Sequence, residues 1–268
     1  MSSGTASGPR CLDDAFALLR LQFEWGADEA IAFEPLDRLR PAEPHPEPVL
    51  RAVPPAPVPA PVGTPAERAL GLAGSAATLD DLRAALAAFD GCALRDTASN
   101  LVFAEGDSAS TTLVIGEPPG REEDRSGHPF AGPEGALLDR MLASIGLDRG
   151  TLMLTPLVPW RPPGGRPVSP AELAICLPFL HRLVGLLQPR RLVIFGGTAA
   201  RLLLPPNAAR RRPARGWTEA RIPGLPQTLP ALGLPGMAEM LKNPPLRRDA
   251  WAGLRLLRRA LDEELTKT

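Results

Sequence analysis

The sequence predicts an α/β protein built on a parallel sheet with helices on both faces. Short apolar runs alternate with longer stretches of helical periodicity along most of the chain. Strands that alternate with helices imply right-handed crossovers between parallel neighbours. A third observation marks the working end of such a sheet. The run Leu113-Val114-Ile115 breaks at Gly116 and opens a Pro/Gly loop that carries one carboxylate, Glu117. α/β folds gather ligand groups at that place, beyond the carboxyl end of a strand.

Taken in order, Leu12, Phe16, Leu19 and Phe23 recur at helical spacing and predict an amphipathic helix over 11–24, ended by Gly26. Residues 1–40 are read as a helical extension. Residues 41–65 hold ten prolines in twenty-five positions, a stiff polyproline-like linker. The domain proper is assigned to 66–268, with its core starting near Thr78, where Thr78 and Asp81 form a capping-box pattern ahead of Leu79, Leu82, Leu86 and Phe89. Strands are expected at 112–116, 151–158, 190–196 and 228–232. A helix striped by Leu137, Leu138, Met141, Leu142 and Ile145 begins near Glu134 and stops at Gly146. Ser169-Pro170-Ala171-Glu172 opens the next, with Ser as cap, Pro at the first position and Glu three residues beyond the cap. Further helices are expected at 198–204 and around Trp251, Leu254, Leu257 and Leu261.

Composition bounds the function loosely. At 268 residues the chain can bury a sizeable core. Its 30 basic and 30 acidic residues cancel, so overall charge neither supports nor excludes a nucleic-acid partner. The three cysteines, Cys11, Cys92 and Cys176, form no secreted disulfide framework. No signal peptide and no run of membrane-spanning length is read, so a cytoplasmic protein and a monomer are expected.

The motifs then resemble a family. Gly116-Glu117-Pro118-Pro119-Gly120, Glu123-Asp124, Pro129-Phe130 and Gly135 with Asp139 are similar to the first motif of family 4 uracil-DNA glycosylases. Trp160-Arg161-Pro162-Pro163-Gly164, Ala199-Ala200 and Leu241-Lys242-Asn243-Pro244 extend the likeness over roughly 79–265, and the N-terminal helix with its Pro-rich linker resembles an extension of bacterial members. The resemblance implies a three-layer α/β/α sandwich around a four-stranded parallel sheet. It also implies hydrolysis of the base N-glycosidic bond in DNA, in base-excision repair, on a nucleotide flipped from the stack. Glu117 then matches the water-positioning carboxylate, Phe130 the base-stacking ring, and Gly120 a backbone amide facing the base. Arg210, Arg211 and Arg212, with Arg215, Lys242, Arg247 and Arg248, are candidates for DNA phosphates. Met240 and Leu241 match the wedge that enters the stack.

The chain departs from the family pattern where the chemistry is sharpest. The asparagine that reads uracil's edge is Pro156, which offers no side-chain donor. The histidine that stabilises the departing anion is Gly236. Of the four cysteines that hold the family's [4Fe–4S] cluster, Cys92 and Cys176 match, while Phe89 and Trp160 stand for the others. No cluster, metal or other cofactor is expected. These departures predict uracil excision that is weak or lost. The alternative is a non-catalytic relative that binds DNA or a protein; the N-terminal helix is expected either to dock on the core or to bind a protein partner.

Overall fold

A computed structural model describes residues 63–206 and 216–266, together with Phe16, Arg20, Leu21 and Glu24. Those four are helical, with an i,i+4 ion pair between Arg20 and Glu24. The rest of the expected N-terminal helix and the linker as far as residue 62 lie outside the described residues. Contacts divide the chain into two units, Met1–Pro59 and Ala60–Thr268, and the second is described below.

Within it the helices are α1 (Pro65–Ser75), α2 (Leu79–Ala88), α3 (Ala93–Thr97), α4 (Arg121–Ser126), α5 (Gly132–Ala143), α6 (Pro170–Leu187), α7 (Gly197–Leu203), α8 (Met237–Lys242) and α9 (Leu246–Leu265). The strands are β1 (Glu105–Gly106), β2 (Thr112–Ile115), β3 (Met153–Thr155), β4 (Arg191–Phe195), β5 (Thr218–Ala220) and β6 (Leu229–Leu234). They form one sheet in the order β1-β3-β2-β4-β6-β5. The inner four, β3-β2-β4-β6, are parallel, as the resemblance implies. Among the described residues the sheet nevertheless has six strands, because β1 and β5 add antiparallel edges. Two or three residues flanked by glycine and proline carry too little period-two signal for those edges to be seen in the sequence.

The alternation of side chains along each strand builds the three layers. Leu113, Ile115, Leu192 and Ile194 point to one face, where they pack with α1, α2, α3, α6 and α7. Val114, Val193, Phe195, Leu232 and Leu234 point to the other, against α5, α8 and α9. The capping boxes read at Thr78/Asp81 and Ser169/Glu172 are both present. A third, Thr64/Glu67, opens α1. The folded unit therefore starts inside the stretch read as linker, because the Pro-rich composition masks a helix with Pro at its first position.

α6 deserves one correction. Its 18 residues are long and apolar enough to cross a membrane by length and hydropathy, contrary to the sequence expectation. In the fold, Cys176, Phe179, Leu180, Leu183 and Val184 are buried in the first core layer, and Arg182 ties the helix to α1 by donating to the Ala76 carbonyl from Nε at 2.9 Å. At the amino ends of the strands, Arg191 is 5% exposed and pairs with Glu264 of α9.

Candidate active site

The carboxyl ends of β2, β4 and β6 converge, and the loops that leave them meet at Glu117. Its carboxylate accepts the Thr198 backbone N–H at the start of α7. It also lies directly over two glycines. A Cβ at Gly196 would collide with the Glu117 side chain, and a Cβ at Gly236 would stand 2.6 Å from Glu117 Oε2. Gly196 has φ +99°, outside the range that L side chains favour, so glycine is required there twice over. Two strand ends thus present bare backbone, and the carboxylate fills the space a side chain would take.

Burial raises the Glu117 carboxyl above the ordinary carboxylate range; the Thr198 N–H opposes the rise, Glu134 and Glu239 add to it, and Arg201 opposes it. Glu134 on α5 is itself raised by burial, with Lys242 pulling the other way. Three carboxylates, from β2's loop, α5 and α8, thus lie within electrostatic reach of Glu117's site together with two cations, Arg201 and Lys242. Sequence reading singled out only Glu117 and Lys242 among them. Glu239 falls three residues after Gly236, a helical spacing that puts it on the same side of α8. That was the available signal.

Phe130 forms the wall. A Cβ on Gly116 would come 2.8 Å from Phe130 Cζ, so the ring sits on the backbone at the end of β2. It meets Phe195 edge-on at 6.2 Å between ring centroids. Phe130 is only 5% exposed and has φ +52°, the left-handed region that non-glycine residues avoid. A clamp holds it there. Glu123 Oε1 accepts the Phe130 N–H at 2.6 Å, while Arg149 Nη2 donates to the Phe130 carbonyl at 2.6 Å and Nη1 to the Pro129 carbonyl at 3.2 Å. Asp139 Oδ1 steadies Arg149 from Nε at 2.5 Å. Gly135 of α5 lies so close beneath that any side chain would strike the Phe130 carbonyl.

The remaining sequence candidates fall out differently. The Gly120 N–H, expected to face a base, donates instead to Glu123 Oε2 at 2.7 Å. Glu123 thus holds both ends of the loop between Gly120 and Phe130, and its own carboxyl is raised by burial against these two N–H contacts. Met240, read as a wedge tip, is 0% exposed and fills the second core layer, because α8 turns its apolar side inward. Leu241 is half-buried against the same layer, and Lys242 is exposed. Arg210, Arg211, Arg212 and Arg215 lie outside the described residues. Pro156 is buried; the preceding Thr155 carbonyl accepts the Gly116 N–H at 2.8 Å, joining the two loops. Neither Pro156 nor Gly236 offers a side-chain donor. Of the other imidazoles, His128 pairs with Glu105 at 2.8 Å, and His181 lines a groove with Leu70, Pro178 and Gly224.

Phe89, Cys92, Trp160 and Cys176 all belong to the first core layer, each 3% exposed or less. The two thiols contact each other: the hydrogen bond from Cys176 holds the Cys92 thiol down to about 7, and the same contact with burial pushes Cys176 up. Phe89 packs edge-on against Phe179 at 5.6 Å, and Arg68 lies over its ring. Two thiols and two buried aromatic side chains do not fit an iron–sulfur cluster, whose irons need four ligands. No group of three or more His, Cys, Asp or Glu side chains suited to a metal occurs among the described residues.

Residues 103–255 fit the family model of the uracil DNA glycosylase superfamily. The type-4 uracil-DNA glycosylase of Pyrobaculum aerophilum is 37% identical over 115 residues, 43% of this chain and 59% of that protein. The type-4 enzymes of Archaeoglobus fulgidus and Thermotoga maritima are each 36% identical, over 126 and 108 residues, which are 47% and 40% of this chain and 63% and 56% of those proteins. The matches thus span about three-fifths of the relatives' length. With more than half of its residues inside the family model, the chain belongs to the uracil DNA glycosylase superfamily.

Proposed function

We propose that this protein acts on bases in DNA as a glycosylase of the base-excision type, with uracil excision much weaker than in its type-4 relatives. One observation carries the reading: Glu117 and Phe130 are assembled at the carboxyl end of the sheet while positions 156 and 236 beside them carry no donor. The retained half can stack a flipped base and position water at the sugar. The missing half would have held the uracil oxygens and the departing anion. Loss of one such donor costs about 10²–10³ in rate, and two lost together cost more, without simple addition. Lys242 at the mouth supplies a cation for a phosphate of the DNA strand.

The test is release of uracil from single- and double-stranded oligonucleotides, read as alkali-sensitive strand breaks. Slow, Glu117-dependent release is expected. Release as fast as by a type-4 relative under the same conditions would refute the attenuation. Salt-sensitive DNA binding with no base released from any substrate would favour the non-catalytic reading, to which the lack of a side-chain donor at positions 156 and 236 lends its weight.

A further inference from the structure

We propose that Cys92 and Cys176 are a redox pair, which hydrogen peroxide converts to a disulfide tying the start of α3 to the middle of α6. The pair stands where the family resemblance puts an iron–sulfur cluster that these side chains do not fit. Its chemistry is independent of base release.

The geometry comes from two segments that run past each other. Cys92 immediately precedes α3, and Cys176 lies on the buried side of α6. Phe89, ahead of Cys92, meets Phe179, beyond Cys176, edge-on at 5.6 Å. Leu86, earlier still, borders the same small cavity as Cys176 and Phe179. Residues 86–92 therefore pass α6 in the opposite direction, and the crossing brings sulfur to sulfur, with the two thiols in hydrogen-bond contact. A disulfide forms between side chains that already point at each other from backbones packed side by side, and this pair has that arrangement.

A single buried cysteine behaves as a small apolar side chain. Two in contact differ, because α3, β1, β2, α4, α5 and β3 all lie between them in the chain. A cross-link over so long a loop restricts the unfolded chain far more than the folded one. Both sulfurs are free thiols, and no third ligand makes them a metal site among the described residues. Each is 1% exposed, so a protein or a bulky disulfide cannot reach them. A cavity of about 20 Å³, lined by Leu86, Pro156, Cys176 and Phe179 among others, leaves room beside the pair for one molecule of about the size of water. Hydrogen peroxide, little larger than water, is the oxidant this access favours.

The reaction balances with peroxide as the only oxidant. One thiol of the pair, as its thiolate, attacks a peroxide oxygen. The O–O bond breaks, an S–O bond forms, and the hydroxide that leaves becomes water with the proton the thiol shed. The second thiol attacks the sulfenic sulfur. The S–S bond forms, the S–O bond breaks, and the departing hydroxide takes the second thiol's proton as another water. The two sulfurs together give up two electrons, and the peroxide takes both.

The experiment uses the full-length protein carrying Cys11→Ser, so that Cys92 and Cys176 are its only thiols. The folded protein is treated with hydrogen peroxide, freed of it, and unfolded in a thiol-alkylating reagent. Both alkylatable thiols should disappear together, and digestion should yield a peptide joining 92 to 176. The oxidised protein should melt roughly 4–16 °C above the reduced form, and dithiothreitol should reverse every change. Cys92→Ala and Cys176→Ala should each show neither the linked peptide nor the rise. Two thiols that survive peroxide would overturn the proposal, as would sulfinic acid in place of the linked peptide. So would disulfides joining only separate chains, or a linked protein that melts no higher than the reduced one.

Discussion

Replacing Gly135 with alanine should destabilise the protein, although the same change inside a helix ordinarily stabilises. Alanine is favoured over glycine in a helix interior by about 1 kcal/mol. At 135 the new Cβ would stand 2.7 Å from the Phe130 carbonyl carbon and closer still to its oxygen and to Arg149 Nη2. Two of these atoms are backbone, fixed by the clamp, and cannot swing aside. Overpacking of this kind costs about 1–3 kcal/mol. Displacing the guanidinium from the carbonyl loses a charge-assisted hydrogen bond worth about 1.5–3 kcal/mol. The net expectation is about 2–4 kcal/mol of destabilisation, or roughly 5–15 °C in Tm for a domain of this size. Gly71→Ala in α1 is the control, since a Cβ there meets nothing within 4 Å; it should leave stability unchanged or raise it by up to about 1 kcal/mol. Denaturant melts of the two variants beside the parent decide the matter. A Gly135→Ala protein as stable as Gly71→Ala would refute the account of the clamp.

Other outcomes follow from single contacts. Arg149→Ala should loosen Phe130 while leaving the sheet intact, so its effect on base release should exceed its effect on the melting midpoint, and Arg149→Lys should rescue little because one ammonium cannot serve Nε, Nη1 and Nη2 together. Glu264→Ala strands the buried Arg191 charge and should cost about 3–5 kcal/mol, far more than Arg190→Ala, whose guanidinium is exposed. Arg166 holds the Glu172 carboxyl down to about 2. A carboxyl lowered on folding contributes stability above its unfolded value and loses it as pH falls toward the folded one. Acid unfolding should therefore begin at higher pH in Arg166→Ala, as measured by circular dichroism between pH 5 and 2, roughly the window that linkage assigns. Anaerobically purified protein should show no visible iron–sulfur absorption; a brown preparation would overturn the assignment of Phe89 and Trp160 to the core.

The inner sheet and its covering helices were legible because their signals are redundant: four apolar runs, two capping boxes and long apolar stripes all agree. The edge strands, α3, α4 and α8 are two to six residues long and leave no periodicity to read. The candidate site was legible only where a motif is a run of neighbours, as at Gly116–Gly120. Glu117's bed was not, because Gly196 and Gly236 lie just beyond the ends of two other strands and become its neighbours only when the sheet closes. Met240 misled for a related reason. A residue in a loop-like motif sits on a short helix whose inward face is chosen by α5 and α9, not by the motif.

The short outer strands bear on how this protein behaves in a crowded solution. β1 offers two residues and β5 three, and where β5 meets β6 its Glu219 lies across from Pro230. A long, flat, apolar border would invite a second chain to continue the ladder. Here the border is clipped on both sides and carries a charge beside a residue that donates no hydrogen bond. A parallel sheet assembled from distant segments forms slowly and passes through partly closed states. Once these two clips are in place, the finished sheet has almost no free template left, so self-association should be confined to the interval before they close.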